Sequence, residues 1–263
     1  MTIARILIIA GSDSGGGAGI QADIKTVTLL GGHAMTAITA ITAQNTLGVS
    51  AVHAVPPEMV IAQIDAVVSD IGVDAIKIGM IGSAEIVEAV ADRLDAPDLA
   101  DVPVVFDPVM IATSGSRLAS DETIALFGRL MRRATVSTPN LDELEALSGQ
   151  ALTNAHAVIA AAGRLIAGGS GAILATGGAY LPGQLTDLLI AAANKRSWEN
   201  ERIDTIHDHG TGCTLASAIA SGLGQGMSLH DAIGRARNFV RAALLNAPGL
   251  GQGHGPMGHR ALD

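Results

Sequence analysis

A single cysteine, Cys213, stands among the 263 residues, so no intramolecular disulfide can form and the fold rests on its own core. Aromatic residues are nearly as scarce: one Trp, one Tyr and three Phe. That excludes the stacking platforms on which proteins hold single-stranded nucleic acid. A flat heterocycle bound here would be sandwiched by aliphatic groups and methionine. Positive charge is short as well, with 16 Lys and Arg against 25 Asp and Glu for a net charge of −9. The cations are scattered instead of gathered into a stripe, so neither nucleic acid nor an anionic membrane is an expected partner. With no 18-residue apolar span and no charged-then-apolar leader, the expected location is the cytoplasm. Linkers, charge blocks and fixed-period repeats are missing too, and residues 1–263 read as one domain.

What is present is an alternation of short β-branched runs with longer Ala/Leu-rich ones. Residues 4–10, 34–42, 74–79, 102–106, 134–138 and 171–176 read as strands, several apolar throughout, as strands covered on both faces must be. Segments 19–31, 57–71, 83–95, 120–133, 154–168, 213–225 and 229–246 read as helices. Strand-then-helix repetition predicts an α/β fold with a parallel sheet and helices on both faces, and ligands beyond the carboxyl ends of its strands.

Chemistry-bearing residues fall at those ends. After the first strand comes Gly11-Ser12-Asp13-Ser14-Gly15-Gly16-Gly17-Ala18-Gly19, a loop whose glycines let a ligand approach the backbone. Its loose dinucleotide-type pattern lacks the acidic residue some 20 positions later that a ribose needs, and no Gly-x4-Gly-Lys-Ser/Thr string exists anywhere in the chain. Gln44, in Ala43-Gln44-Asn45-Thr46, offers donor and acceptor to the edge of an aminopyrimidine or pyridine, or else caps a loop. Met80, between Gly79 and Gly82, suits a soft ring wall or a packed core. Asp107 ends an otherwise apolar strand, which packing alone does not explain. Asn140 and Glu143 stand three apart, a spacing that serves either a hydrated divalent cation or a capping box. In His209-Gly210-Thr211-Gly212-Cys213-Thr214 a loop becomes a helix. Unpaired N–H groups and the helix dipole favour an anion there and would lower a thiol pKa, making Cys213 a candidate base; the other reading is a buried, inert cysteine. His207-x-His209 alone has too few ligands for zinc.

The strings AGSDSGGGAGIQADIKT, ITAQNT, KIGMIGS, DPVM with ATSGSRL, TPNLDE, HGTGCTLASAIA and the closing GHGP resemble the ribokinase-like superfamily, and within it the hydroxymethylpyrimidine/phosphomethylpyrimidine kinases of thiamine biosynthesis. They run from residue 10 to 256. The resemblance implies a three-layer α/β/α sandwich with a mostly parallel central sheet. It also implies transfer of the ATP γ-phosphoryl group to 4-amino-5-hydroxymethyl-2-methylpyrimidine and then to its monophosphate. By match to the family motifs, Gln44, Gly11, Ala18, Asp23, Met80 and Val109 surround the pyrimidine. Asp107 and Glu143, with Asn140, hold magnesium, and Asn140, Thr176, Gly178 and Thr211 meet the nucleotide. Gly210, Thr211, Gly212 and Cys213 form the catalytic anion hole, and Asp187 matches a family aspartate less distinctly.

Two further implications are a homodimer and, with the chain ending soon after GHGP, no appended thiamine-phosphate synthase domain. One departure stands out: Ala175-Thr176-Gly177-Gly178-Ala179 lacks the lysine before and the histidine after the paired glycines that the family commonly has. A raised requirement for ATP or metal is then expected unless magnesium, a monovalent cation or another positive group compensates. Where many superfamily sugar kinases carry aspartate, this chain has Cys213. A group that stays neutral there avoids repelling an acceptor that is already a phosphate monoester. Pyridoxal kinase, or a pyrimidine- or nucleotide-binding protein with little catalysis, are the alternatives.

Overall fold

The structure is a computed structural model that describes residues 3–179, 183–192 and 194–260. Its nine strands are β1 (Arg5–Asp13), β2 (His33–Asn45), β3 (Gly48–Ala54), β4 (Ala75–Ile78), β5 (Val104–Phe106), β6 (Val136–Ser137), β7 (Ala172–Gly178), β8 (Gln184–Ile190) and β9 (Lys195–Glu201). They form one sheet in the order β3-β2-β1-β4-β5-β6-β7-β8-β9. The six strands from β2 to β7 in that order pair in parallel, and β3, β8 and β9 join antiparallel at the two edges.

The apolar run Ile6-Leu7-Ile8-Ile9 makes β1 a central strand. Alternate side chains point to opposite faces, and each face has its own core. Leu7 and Ile9 pack with Val60, Ile64, Val87, Phe127 and Val158, from α2 (Pro57–Asp70), α3 (Ala84–Leu94), α4 (Asp121–Arg133) and α6 (Ala155–Ala167). Ile6, Ile8 and Ala10 pack with Ile20, Val27, Ile219 and Ile233, from α1 (Gly19–Leu29), α7 (Thr211–Gly224) and α8 (Leu229–Leu245). The three-layer expectation therefore holds, with a buried sheet between two helical layers.

Four elements were not expected: β3, β8, β9 and the short α5 (Leu141–Ser148). The missed strands are the antiparallel ones. Most of β3 is exposed, and β9, Lys-Arg-Ser-Trp-Glu-Asn-Glu, buries nothing fully, so neither shows the apolar run that marks a strand inside the sheet. Both are edge strands, and charge along β9 discourages further pairing. No helix among the described residues is long and apolar enough to cross a membrane.

Candidate active site

The carboxyl ends of the parallel strands open into a cavity of about 920 Å³, a size that suits small ligands. Its wall takes Gly11, Ala18 and Gly19 from the β1–α1 loop, Gln44 from β2, Met80 after β4, and Asp107 and Val109 after β5. Asn140 and Glu143 at the start of α5, Thr176 and Gly177 from β7, and Gly210 to Cys213 at the start of α7 complete it. Thus fourteen of the sixteen residues singled out by sequence, Asp187 on β8 among them and all but Asp23 and Gly178, face one space.

Asp13 builds the glycine loop. Its carboxylate accepts from the N–H groups of Gly15 (2.8 Å), Gly17 (3.0 Å) and Ala18 (2.8 Å) and from Nε2 of His209 (3.0 Å). The His209 and backbone donors hold the Asp13 pKa below the usual carboxylate range against the opposing effect of burial. The loop must be glycine where it meets α7. A Cβ on Gly17 would lie 2.5 Å from His209 Cδ2, and one on Gly210 would lie 2.0 Å from the Gly17 carbonyl oxygen. Gly210 also adopts φ 88° as the N-cap of α7, a conformation that favours glycine.

No side chain caps α7, and the Thr211 N–H turns back to Asp208 O at 3.3 Å. The N–H groups of Gly212 and Cys213 are thereby left facing the cavity, at the positive end of the helix. A Cβ on Gly212 would stand 3.6 Å from both Asp107 carboxylate oxygens, so the anion site and the acidic site adjoin.

Cys213 corrects the sequence reading. Its thiol pKa is pushed up to about 12 instead of being lowered. Burial is the main cause, Asp23 and Asp107 add to it, and Lys77 opposes it. Burial, with the two carboxylates, outweighs the helix terminus and Lys77, and the thiol is neutral near pH 7.

Asp23 is a second correction, for it does not reach the cavity wall. Fully buried, it accepts from Lys77 Nζ at 2.9 Å and from the Ser217 hydroxyl at 2.6 Å. The pair ties α1, β4 and α7 together beneath the anion site. Gly178 likewise stands off the wall, where Gly177 takes its place with φ 76°. Asp187 explains that turn: one carboxylate oxygen accepts from Gly177 N (2.9 Å) and the other from Arg237 Nε (2.6 Å).

Asn140 and Glu143 form a capping box at α5. Asn140 Oδ1 accepts from Glu143 N (2.8 Å) and Glu143 Oε2 from Asn140 N (2.9 Å). The structural use of the spacing is realised, yet Glu143 keeps its other oxygen. Burial, with Asp107 adding to it, pushes Glu143 up to about 8; burial also pushes Asp107 up to about 6, opposed by Lys77 and reinforced by Asp23. Asp107 Oδ2 is buried without a hydrogen-bond partner. An orphaned carboxylate oxygen beside a second strained acid fits a hydrated divalent cation, which would relieve both. No cluster of three His, Cys, Asp or Glu side chains is present among the described residues, so such an ion would keep much of its water.

Thr176 pairs with Asn140 across a parallel bridge and donates its hydroxyl to Pro139 O (3.4 Å). Where the family lysine is missing, the same cavity is lined by Arg117, Arg202, Arg237 and Arg241. Sequence reasoning missed Asp13, His209 and Lys77 as organising residues. The signal for Lys77 was present, since a lysine inside the buried strand Ala-Ile-Lys-Ile demands a buried partner.

A parallel sheet that aims a glycine loop, an uncapped helix start and a pair of acids at one point defines a small-molecule kinase of the ribokinase-like fold. The family model described as phosphomethylpyrimidine kinase matches residues 13–258, and the chain belongs to that family. It is 44% identical over 265 residues to the hydroxymethylpyrimidine/phosphomethylpyrimidine kinase of Bacillus subtilis, covering 100% of this chain and 97% of that one. It is 46% identical to the thiamine biosynthesis bifunctional protein ThiED of Geobacter sulfurreducens, covering 97% of this chain but only 52% of that longer protein. Among solved structures, the ADP complex of Bacillus subtilis pyridoxal kinase superposes with a TM-score of 0.89 at 35% identity, covering 99% of this chain and 98% of that one.

Proposed function

We propose that the protein phosphorylates 4-amino-5-hydroxymethyl-2-methylpyrimidine with ATP, and then phosphorylates the monophosphate, in the cytoplasm. The observation that carries this reading is the junction of Gln44, Met80, Asp107 and the α7 start around one cavity. Gln44 offers an amide to the ring edge and Met80 a soft wall. A loose phosphoryl-transfer transition state asks chiefly for alignment and charge stabilisation. The N–H groups of Gly212 and Cys213 supply the second. Asp107 and Glu143 would hold magnesium, which would supply charge neutralisation to the nucleotide phosphates. As the acceptor oxygen bonds the γ-phosphorus, the bond to the ADP oxygen breaks and the proton of the alcohol passes late to the transferred phosphoryl group or to water, so the neutral Cys213 thiol beside it need take no proton. The ADP complex of the pyridoxal kinase neighbour supports nucleotide use.

The test is product mass after incubation with ATP, magnesium and the pyrimidine, with pyridoxal in parallel. A pyrimidine diphosphate is expected, and product from pyridoxal alone would move the assignment to vitamin B6 salvage. The protein acts as a homodimer, with exposed Ile41, Leu47 and Val52 along the β2–β3 edge as its contact. Light scattering at twice 26.5 kDa checks that, and a mass of one chain overturns it.

A further inference from the structure

His209 lies 7% exposed where three loops meet. Its Nε2 is 3.0 Å from Asp13 Oδ2 and 3.2 Å from the position assigned to the Gln44 side-chain nitrogen, and its Nδ1 is 3.2 Å from Thr113 Oγ1. The position assigned to Gln44 Oε1 is 3.2 Å from Thr42 Oγ1, whose one hydrogen also has Ser12 O at 2.9 Å as a closer acceptor; the balance of donors and acceptors turns this amide round. We infer that His209, itself held by Asp13, is a positioning residue that fixes which way round the Gln44 amide faces the bound ring.

The argument is donor and acceptor accounting. Asp13 takes three backbone N–H groups already and is an acceptor only, so Nε2 of His209 carries its hydrogen toward it. An amide NH₂ turned to that same Nε2 would set donor against donor. Shape does not distinguish the two ends of an amide, and hydrogen bonding decides between them. Turned with Oε1 toward His209, Gln44 shares the Nε2 hydrogen with Asp13, and its NH₂ donates to Thr42 Oγ1, whose own hydrogen is committed to Ser12 O. The Thr113 hydroxyl then donates to the bare Nδ1. Every group has a partner, and only one amide orientation achieves this.

That orientation leaves one N–H and one oxygen lone pair of Gln44 in fixed order for a ligand. A ring nitrogen beside an exocyclic amine matches both, whereas a ring lacking the amine leaves the oxygen unpaired. This step rests on the aminopyrimidine reading above. A preordered amide avoids an ordering cost on binding, and loss of that order corresponds to a factor of about ten in affinity.

Two measurements test the inference. Long-range ¹⁵N–¹H correlation of the ligand-free protein should show the His209 hydrogen on Nε2; a bare Nε2 overturns the inference, whatever the substrate proves to be. Calorimetry should then compare the hydroxymethylpyrimidine with its analogue lacking the 4-amino group. His209→Phe is expected to erode the preference for the amino compound about tenfold, and His209→Asn, which keeps an N–H donor, to recover part of it. Equal weakening of both ligands would reduce His209 to a loop support and overturn the inference. Failure of the wild type to bind either ligand would defeat the pyrimidine reading, with the ¹⁵N result still deciding the role of His209.

Discussion

At Cys213, local and surrounding electrostatics oppose each other, and the surroundings win. A helix start stabilises a thiolate, but burial and the carboxylates of Asp23 and Asp107 carry the thiol to about 12. At pH 7 the thiol is then neutral. Neutrality has a use where the acceptor is first an alcohol and then a phosphate monoester that already bears charge. A carboxylate in the same place would add repulsion in the second step only. Cys213→Asp is therefore expected to depress phosphorylation of the monophosphate at least ~10-fold more than that of the alcohol, by analogy with the cost of one misplaced charge at a developing phosphoryl group. Steady-state rates with each acceptor measure it, and equal loss in both steps would remove the argument for a neutral group. The sequence showed that a helix begins at Cys213. Its pKa was not legible there, because the residues that set it lie over a hundred positions away on β4, α1 and the end of β5.

At the scale of elements, legibility followed burial. The six parallel strands were readable because β-branched and apolar residues dominate their runs, and seven of the eight helices were readable from their apolar periodicity. The antiparallel β3, β8 and β9 were not: β3 and β9 are exposed edge strands with weak patterns, and the apolar run of β8 is broken by Thr186 and Asp187. That loss bears on the site. Asp187 on β8 holds the Gly177 turn and Arg237, a role visible only once β8 is laid against β7. Asn140 and Glu143 show the reverse case, where both readings of one spacing were open and the structure joins them. The capping box fixes the Glu143 side chain through one oxygen and leaves the carboxylate beside Asp107. Asp23 was misplaced because it shares a motif with true wall residues; its side chain turns into the core to meet Lys77, a partner 54 residues away.

Across the whole molecule, the acidic pair and the C-terminal segment pull stability in opposite directions with pH. Asp107 and Glu143 titrate near 6 and 8 in the fold, above their ordinary values of about 4. Between those limits the native state holds more protons than the unfolded chain, so stability falls as pH rises. His259 bonds Thr214 on α7 at 2.9 Å, and its pKa is lowered to about 4 by burial, with Lys25 adding to it. Below about 6.5 the unfolded chain takes up that proton first, and stability falls as pH falls. Below about pH 6 the two acids outweigh the one histidine and above about 6.5 Glu143 acts alone, so the ligand-free stability set by these groups should decline from about pH 5 to pH 8. Magnesium held by the ionised acids, as proposed above, would displace their protons and, together with its nucleotide, would stabilise by mass action. Their gain in melting temperature should accordingly be larger at pH 8 than at pH 6. Glu143→Gln, which retains a carbonyl oxygen for the Asn140 N–H, removes the costly charge. It is expected to raise the ligand-free melting temperature at pH 8 by ~3–6 °C, to change it little at pH 5, and to flatten the pH dependence of the ligand gain. Thermal melts at the three pH values decide the matter. A ligand gain equal at pH 6 and pH 8 in the wild type would mean that the two acids are not the groups magnesium relieves.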